Sequence, residues 1–234
     1  MSICGLTFAP LTLEKAARLA EEQMKKGGFF SIFTPGATIH AQARKNKAEL
    51  SLLRGADLLL PDGQGVVLAS RLARERLPER VAGITFAETL LSRAEAGTRF
   101  FFYGGKAGIA QKAAAHMKAK HPQLAFAHAH GYGEDPIRDI MAFSPHALFV
   151  CLGYPRQEAY ILSHKESLSC LCVGLGGSFD VWSGASPRAP LFLQKCGLEW
   201  AYRTLREPHR VSRLFPLPAY FAVAAAEGFK KRRK

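Results

Sequence analysis

The chain has 234 residues, of which 48% are apolar, a net charge of +13 and a mean hydropathy of -0.03. This composition is sufficient for a packed core, and no stretch approaches the roughly 18 consecutive apolar residues of a membrane-spanning helix. The N-terminus has neither a basic region nor a small-residue cleavage site. The sequence therefore predicts no signal peptide and a protein that stays in the cytoplasm.

Apolar runs alternate with amphipathic helical patterns along most of the chain, which indicates α/β architecture. Most of these runs are apolar at consecutive positions, as in strands of a parallel sheet that helices cover on both faces. Predicted strands span residues 2–8, 28–34, 57–61, 99–104, 124–131, 146–153 and 170–176. We expect a Rossmann-like, mostly parallel sheet flanked by helices in a catalytic domain of residues 1–189.

The last 45 residues differ from this body, because Pro208, Pro216 and Pro218 divide two or three helical segments and no further strand follows. Residues 190–234 are therefore predicted to form a C-terminal helical appendage. Residues 195–234 contain ten basic and three acidic side chains, and so hold more than half of the net positive charge. A concentrated basic tail favours polyanions: an anionic lipid surface, nucleic acid or a phosphorylated ligand.

The cysteines and histidines suggest no metal site. The five cysteines lie mostly in apolar runs and include no C-x-x-C pair, which favours buried, reduced thiols over disulfides or zinc ligands. The eight histidines form no metal-binding signature. We expect no bound metal and no cofactor.

Nearly every predicted strand after the first ends in glycine and a polar group. Ligands of open α/β sheets bind outside the carboxyl ends of the strands, where glycine lets backbone amides approach closely and helix N-termini attract phosphate. A tight turn would explain any one of these loops. Six together favour a nucleotide diphosphate. The loops are residues 34–36, 61–65, 104–108, 131–133, 153–158 and 174–180.

Missing motifs narrow the choice of nucleotide. "GGKAGIA" is a poor dinucleotide fingerprint, and residues 109–133 contain no acid to bind a ribose, which argues against NAD. Lys106 is followed by alanine and lacks the preceding P-loop spacing, which argues against ATP hydrolysis. No D-x-D pair is present to hold magnesium, so arginines and backbone amides would have to balance a diphosphate.

The motifs "TPGA", "GADLLLPDGQGVV", "RVAGIT", "FFYGGKAGIA", "LFVCLGYPRQE", "GLGGSFDVWSG", "RAP" and "GLEWAYRTLREPHR" occur in the order and spacing of a known family. Over roughly residues 28–213, the chain resembles the WecG/TagA/CpsF family of bacterial glycosyltransferases. The resemblance implies an inverting, metal-independent transfer of N-acetylmannosamine or a related sugar, such as its uronic acid, from a UDP donor. The implied acceptor is an undecaprenyl-diphosphate-linked sugar at the inner face of the plasma membrane, in the synthesis of cell-surface polysaccharide or teichoic acid.

The resemblance also implies roles for single residues. Asp62 matches the general base, and its position after an apolar strand predicts a carboxyl pKa raised by desolvation. On local sequence alone, an ordinary residue of a Pro-Asp-Gly turn is the favoured interpretation of Asp62. Thr34 and Gln157 match positions that line the donor and its diphosphate. Arg80 matches an arginine that offsets charge on the leaving group, although a solvated helix-end charge would also explain it.

The remaining candidates for UDP-sugar binding are Gly36, Gly104, Gly105, Tyr132, Gly153, Gly176, Gly177 and Asp180. Gly36 departs from the family pattern, which usually has asparagine there. The missing amide puts the identity of the donor sugar in doubt and could reduce activity.

The basic tail has a candidate role in binding lipid. Its arginines recur every three or four residues and could clamp a lipid diphosphate from one helical face; they are Arg203, Arg206, Arg210 and Arg213. The apolar residues Leu214, Phe215, Leu217, Tyr220, Phe221 and Val223 and the basic run 230–234 are typical of an anionic membrane surface. A solvated basic helix packed on the body is the alternative.

Two other functions remain open at this point. A nucleic-acid-binding protein would fit the charge, but the tail has no stacking aromatics between its basic residues, so we expect no nucleic-acid partner. A UDP-sugar-binding protein without turnover would fit the glycine at position 36. The sequence leaves open whether the chain forms a homo-oligomer.

Overall fold

The computed structural model of the chain describes residues 1–190, 192–193, 202, 205, 211–212 and 214–232. The strands are β1 (Ser2–Ile3), β2 (Leu6–Thr7), β3 (Phe30–Phe33), β4 (Leu58–Leu59), β5 (Arg99–Gly104), β6 (Ala125–Ala129), β7 (Ala147–Cys151) and β8 (Leu171–Gly174). The helices are α1 (Leu13–Lys26), α2 (Ala37–Ala43), α3 (Lys47–Arg54), α4 (Gln64–Leu72), α5 (Gly83–Arg93), α6 (Ile109–Lys120), α7 (Ile137–Phe143), α8 (Arg156–Ser163), α9 (Ser178–Trp182) and α10 (Leu217–Arg232).

Six strands form one sheet in the order β4-β3-β8-β7-β5-β6, and every neighbouring pair is parallel. This confirms the predicted α/β class. Because all six strands run in the same direction, the loops after them meet at one edge of the sheet.

Helices cover both faces of the sheet, as the continuous apolar runs predict. Alternate residues of β5 show how the core is divided. Phe100 and Phe102 pack with α1, α5, α6 and α9, whereas Phe101 and Tyr103 pack on the opposite face, with α2, α3, α4, α8 and α10. The sheet is thus the middle layer of three, and both of its faces exclude water.

Residues 2–8 were predicted as a strand of the main sheet, and this is wrong. They form a separate antiparallel hairpin of β1 and β2, because the chain reverses at Cys4 and Gly5, where φ is 49° and 86°. The Arg54 side chain donates two hydrogen bonds to the Gly5 carbonyl, at 3.0 and 2.9 Å, and so fixes the turn on α3. The two strands pair with each other, and the chain meets the main sheet at Ala9, whose N–H donates to the Leu59 carbonyl of β4 at 2.9 Å.

Helix α10 packs on α2 and α4, the helices that begin beside residues 36 and 62. The Tyr220 side chain is fully buried, and its hydroxyl lies 3.0 Å from Nδ1 of His40. Gly228 lies so close to the Leu72 carbonyl that a Cβ at position 228 would collide with it. Tyr220 was predicted to face a membrane; the structure instead places it in the core, because its ring packs against the His40 ring.

The division of the chain at residue 190 stays a prediction. The described part of the appendage is mainly α10, and the predicted lipid-binding residues Arg203, Arg206, Arg210 and Arg213 lie outside the described residues.

Four of the five cysteines are described, and Cys4, Cys151, Cys170 and Cys172 are free and buried, as predicted.

Candidate functional site

The loops after the six parallel strands bring most of the predicted site residues to one edge of the sheet. Following the strand order from β4 to β6, these loops carry Asp62, Thr34, Gly176, Gly153, Gly104 and Tyr132. Residues from most of the length of the chain therefore meet along one edge, and the candidate site extends across the sheet.

The loops after β3 and β4 lie side by side. The backbone N–H of Leu60 donates to the Phe33 carbonyl at 2.9 Å, and Gly36 and Asp62 form a further parallel bridge beyond the ends of the two strands. A Cβ at position 36 would lie 3.2 Å from the Asp62 carbonyl oxygen. The departure from the family pattern at Gly36 therefore adjoins the proposed base directly.

The N-terminus of α5 lies against Asp62. The Val81 N–H donates to the Pro61 carbonyl at 2.9 Å, and the N–H of Gly83, the first residue of α5, donates to Oδ2 of Asp62 at 3.4 Å. Unpaired N–H groups at a helix N-terminus stabilise negative charge. The N-terminus of α5 therefore provides a partner for negative charge on Asp62.

Gly83 also connects Asp62 to Thr34. A Cβ on Gly83 would lie 2.6 Å from Oγ1 of Thr34, and that hydroxyl donates to the Gly174 carbonyl at the end of β8, at 3.4 Å. Gly83 is not among the residues predicted from the sequence. Its signal was present, since it is the glycine that opens a helix within the "RVAGIT" motif.

Gln157 continues the row towards β7. Its side chain is 4% exposed; its Oε1 accepts a hydrogen bond from the Gly176 N–H, and its Nε2 donates to Oε1 of Glu158, both at 2.9 Å. Gly174 has room only for a hydrogen because a Cβ there would lie 2.9 Å from Nε2 of Gln157. The Gln157 amide thus supports the loop after β8, and Glu158 is an additional buried residue that the sequence analysis did not select.

Two of the predicted glycines border open space at the position that a side chain would occupy. At Gly153 and Gly176, φ is 76° and 56°, which favours glycine, and no heavy atom lies within 4 Å of where a Cβ would stand. At Gly177, the nearest atom is Oδ2 of Asp180, at 3.4 Å. The backbone after β7 and β8 is therefore accessible to a ligand.

A second group of contacts forms at the ends of β5 and β6. The N–H of Gly131 donates to the Gly105 carbonyl at 2.9 Å, and a Cβ on Gly104 would collide with the backbone of β7. Tyr132 is 69% exposed, and the Arg156 guanidinium lies 5.7 Å from the centre of its ring. Arg156 is not among the residues predicted from the sequence, although it is the basic residue of the "GYPRQE" loop.

Arg80 and Asp180 are half-buried and make contacts within the protein. Arg80 directly precedes Val81, whose N–H binds the Pro61 carbonyl, so its backbone lies near Asp62. Within the described part of the chain, no group of three or more histidine, cysteine or acidic side chains could hold a metal ion.

Exposed aromatic side chains lie near both ends of α10, and exposed basic side chains lie near its C-terminal end. Phe215 is 75% exposed and Phe229 66% exposed, and Lys230 and Arg232 are exposed beside Phe229. Lys231 forms an ion pair with Glu75 at 2.6 Å. Among the described residues, no helix is long and apolar enough to cross a membrane.

Comparison with known proteins identifies related sequences. The model of the glycosyl transferase WecG/TagA/CpsF family matches residues 1–234. The chain is 37% identical over 204 residues to an N-acetylglucosaminyldiphosphoundecaprenol N-acetyl-beta-D-mannosaminyltransferase of Bacillus spizizenii, a match that covers 83% of this chain and 77% of the relative. It is 32% identical over 210 residues to a protein of the same name from Staphylococcus aureus, covering 87% and 83% of the two chains.

Proposed function

Because the chain belongs to the WecG/TagA/CpsF family of glycosyltransferases, we propose that it transfers N-acetylmannosamine, or a related sugar such as its uronic acid, from a UDP donor. The proposed acceptor is N-acetylglucosamine or another sugar on undecaprenyl diphosphate, as the names of the relatives suggest. The product would enter a cell-surface polysaccharide or teichoic acid.

One observation carries this proposal for the site. Asp62 lies against the N-terminus of α5 and is connected through Gly83, Thr34 and Gly174 to the open glycine loop after β8. This row provides a carboxylate and accessible backbone amides at one edge of the sheet. A sugar nucleotide transferase needs both: a base for the acceptor and donors for the diphosphate.

Asp62 acts as the general base in the proposed reaction. Its carboxylate takes the proton from the acceptor hydroxyl, while the hydroxyl oxygen bonds to the anomeric carbon on the face opposite UDP. The bond from that carbon to the diphosphate oxygen breaks, UDP leaves, and the configuration at the carbon is inverted. The N–H of Gly83 stabilises the carboxylate before it takes the proton.

The negative charge that develops on the leaving UDP needs a partner. Arg80 is the proposed cation, with a guanidinium that can bind two phosphate oxygens at once. After β8, the N–H of the exposed Gly177 is the proposed donor, whereas the N–H of Gly176 is bound to Gln157 and shapes the loop. With these groups, the transfer proceeds without a metal ion.

The nucleoside would lie further along the same edge, at the ends of β5 to β7. Tyr132 offers an exposed ring face for the base, and Gly153 borders open space. Gly104 and Gly105 are the other proposed contacts at this edge, and their lack of side chains lets the loop pack against β7 and α6. Thr34, Gly36 and Gln157 are the proposed residues nearest the donor sugar, with Asp180 at the border of the Gly177 loop.

The C-terminal segment is the proposed contact with the lipid substrate. Exposed Phe215 and Phe229, together with Lys230 and Arg232, fit the interface of an anionic membrane, where aromatic side chains and cations bind together. Arg203, Arg206, Arg210 and Arg213 would hold the lipid diphosphate. The protein would then work as a peripheral protein at the inner face of the plasma membrane.

The experiment that tests the function is a transfer assay. Purified protein is incubated with UDP-N-acetylmannosamine and a short-chain lipid-diphosphate-N-acetylglucosamine in EDTA, and product mass and UDP release are followed. Wild type should form the disaccharide product. Asp62→Asn should lose at least about 100-fold in kcat, because general base catalysis contributes roughly 10²–10⁴ in rate.

The matched control is Asp139→Asn, which removes an exposed carboxylate of α7 and should leave kcat unchanged. The amide oxygen that Asp62→Asn introduces can still accept the hydrogen bond from Gly83, so this variant should fold normally. Near-normal turnover of a folded Asp62→Asn protein would refute its role as base. Turnover that requires an added metal would refute the metal-free mechanism.

A UDP-sugar-binding protein without turnover is the second candidate, and the specific observation in its favour is Gly36. Glycine stands beside Asp62 where the family pattern has an amide side chain. Saturable UDP binding without product from either N-acetylmannosamine or its uronic acid would favour this alternative, whereas absence of UDP binding would refute both.

A further inference from the structure

Glu158 is the only acidic side chain that is buried in the described part of the chain, with 2% of its surface exposed. Its Oε1 accepts a hydrogen bond from Nε2 of Gln157 at 2.9 Å, while its Oε2 is buried and has no hydrogen-bond partner. Burial raises the pKa of the Glu158 carboxyl. An acid in this position is costly to the fold, because a buried oxygen without a partner loses its hydration.

Glu158 determines the orientation of the Gln157 side-chain amide, which could offset the cost of burying the acid. The Gln157 amide has a donor end and an acceptor end, and the acceptor end receives the N–H of Gly176. A rotation of that amide by 180° would turn its NH₂ group towards the Gly176 N–H, and two donors would then face each other. The bond to Gly176 therefore requires the NH₂ group of Gln157 to point towards Glu158.

We propose that Glu158 is a positioning residue that fixes the Gln157 amide and, through it, the Gly176 loop that receives the donor diphosphate. The proposal rests on the transferase function proposed above. Oε1 of Glu158 accepts the NH₂ group of Gln157 and Oε2 makes no hydrogen bond, so the carboxyl group offers no donor to the Gln157 carbonyl oxygen. Glu158 acts on the substrate only through Gln157 and Gly176.

A glutamine at position 158 would offer a hydrogen-bond donor as well as an acceptor to Gln157. Its own NH₂ group could donate to Oε1 of Gln157, and that alternative would compete with the bond from Gly176. Glutamine has nearly the same shape and no charge, so Glu158→Gln should fold. Glu158→Leu, which removes the acceptor altogether, serves as a second variant.

Hydrogen exchange at the Gly176 amide measures the positioning directly. In Glu158→Gln, the exchange rate of this amide, followed by NMR, should rise about fivefold, since the loss of roughly one hydrogen bond changes a local equilibrium by about that factor. Glu158→Leu should raise it further. The matched control is Glu49→Gln, which changes a carboxylate that binds the Tyr154 hydroxyl instead and should leave the Gly176 amide unaffected.

A double-mutant cycle tests whether Glu158 acts through Gln157. Glu158→Gln should lower kcat/KM about fivefold in the wild-type background and have almost no effect in a Gln157→Ala background, because the amide it positions is then absent. A role in general stability would lower activity equally in both backgrounds, and that result would overturn the proposal.

The two experiments separate this inference from the proposed function. Unchanged exchange at Gly176 in an active enzyme would refute the role of Glu158 and leave the transferase function intact. Faster exchange in a protein whose wild type transfers no sugar would refute the transferase function, but would support the link from Glu158 to the Gly176 loop.

Discussion

His40 links the stability of the protein to pH and to the position of α10. Its ring is fully buried between two partners, with Nε2 3.3 Å from the Cys4 carbonyl and Nδ1 3.0 Å from the Tyr220 hydroxyl. A carbonyl can only accept, so Nε2 carries the proton and Nδ1 accepts from Tyr220. Desolvation, with a smaller effect from the Arg44 charge, lowers the pKa of His40 to about 4.

The size of the pH effect on the unfolding free energy follows from the difference between the pKa of His40 in the folded chain and in the unfolded chain. The ordinary pKa of histidine is 6.5, so between about pH 6.5 and pH 4 the unfolded chain binds a proton at His40 that the folded chain does not. The unfolding free energy therefore rises with pH in this window, and the contribution of His40 is fully present above about pH 6.5. The loss on going from pH 7 to pH 4 should be about 3 kcal/mol from this one group.

The assay is urea unfolding of wild type and His40→Gln at pH 7 and pH 4. Glutamine keeps one donor and one acceptor for Cys4 and Tyr220, but does not titrate. The difference in unfolding free energy between the two proteins should shift by about 3 kcal/mol in favour of the variant as the pH falls. The control is His128→Gln, which removes an exposed histidine of β6.

Equal pH dependence of wild type and His40→Gln would refute this reasoning. It would mean that His40 takes up its proton while folded, and therefore that α10 does not exclude water from it. Since α10 also packs on α2 and α4, the helices next to Gly36 and Asp62, the same measurement reports how firmly the C-terminal helix is held beside the site.

Two glycine substitutions test the close contacts that shape the site. Gly83→Ala places a Cβ 2.6 Å from Oγ1 of Thr34 and should lower the unfolding free energy by about 1–3 kcal/mol, measured by thermal unfolding. In a Thr34→Ala background that oxygen is gone, so a cost that stays the same would contradict the contact. Gly228→Ala brings its Cβ against the Leu72 carbonyl and should also cost about 1–3 kcal/mol by forcing α10 away from α4. An unchanged midpoint would show that α10 does not pack there.

The parallel sheet and the edge that carries the site were predictable because they depend on local patterns. Strands that are apolar at consecutive positions need cover on both faces, and glycine with a polar group after each strand identifies the ligand edge. Asp62 is a candidate base on these grounds, together with the resemblance to a family. Residues 2–8 show the limit, since a short apolar run does not reveal whether the chain continues or reverses at Cys4 and Gly5.

By itself, the sequence determined the α/β class, the family and the loops that carry the candidate chemistry. Only the tertiary structure decided which groups meet: Gly83 at Asp62, the Gln157 amide between Gly176 and Glu158, and Tyr220 at His40, 180 residues away in the chain. Such pairs depend on how distant elements pack, and no local pattern specifies that. For the same reason, the apolar pattern of the tail predicts a membrane-facing Tyr220, whereas the structure places its hydroxyl against His40 in the core.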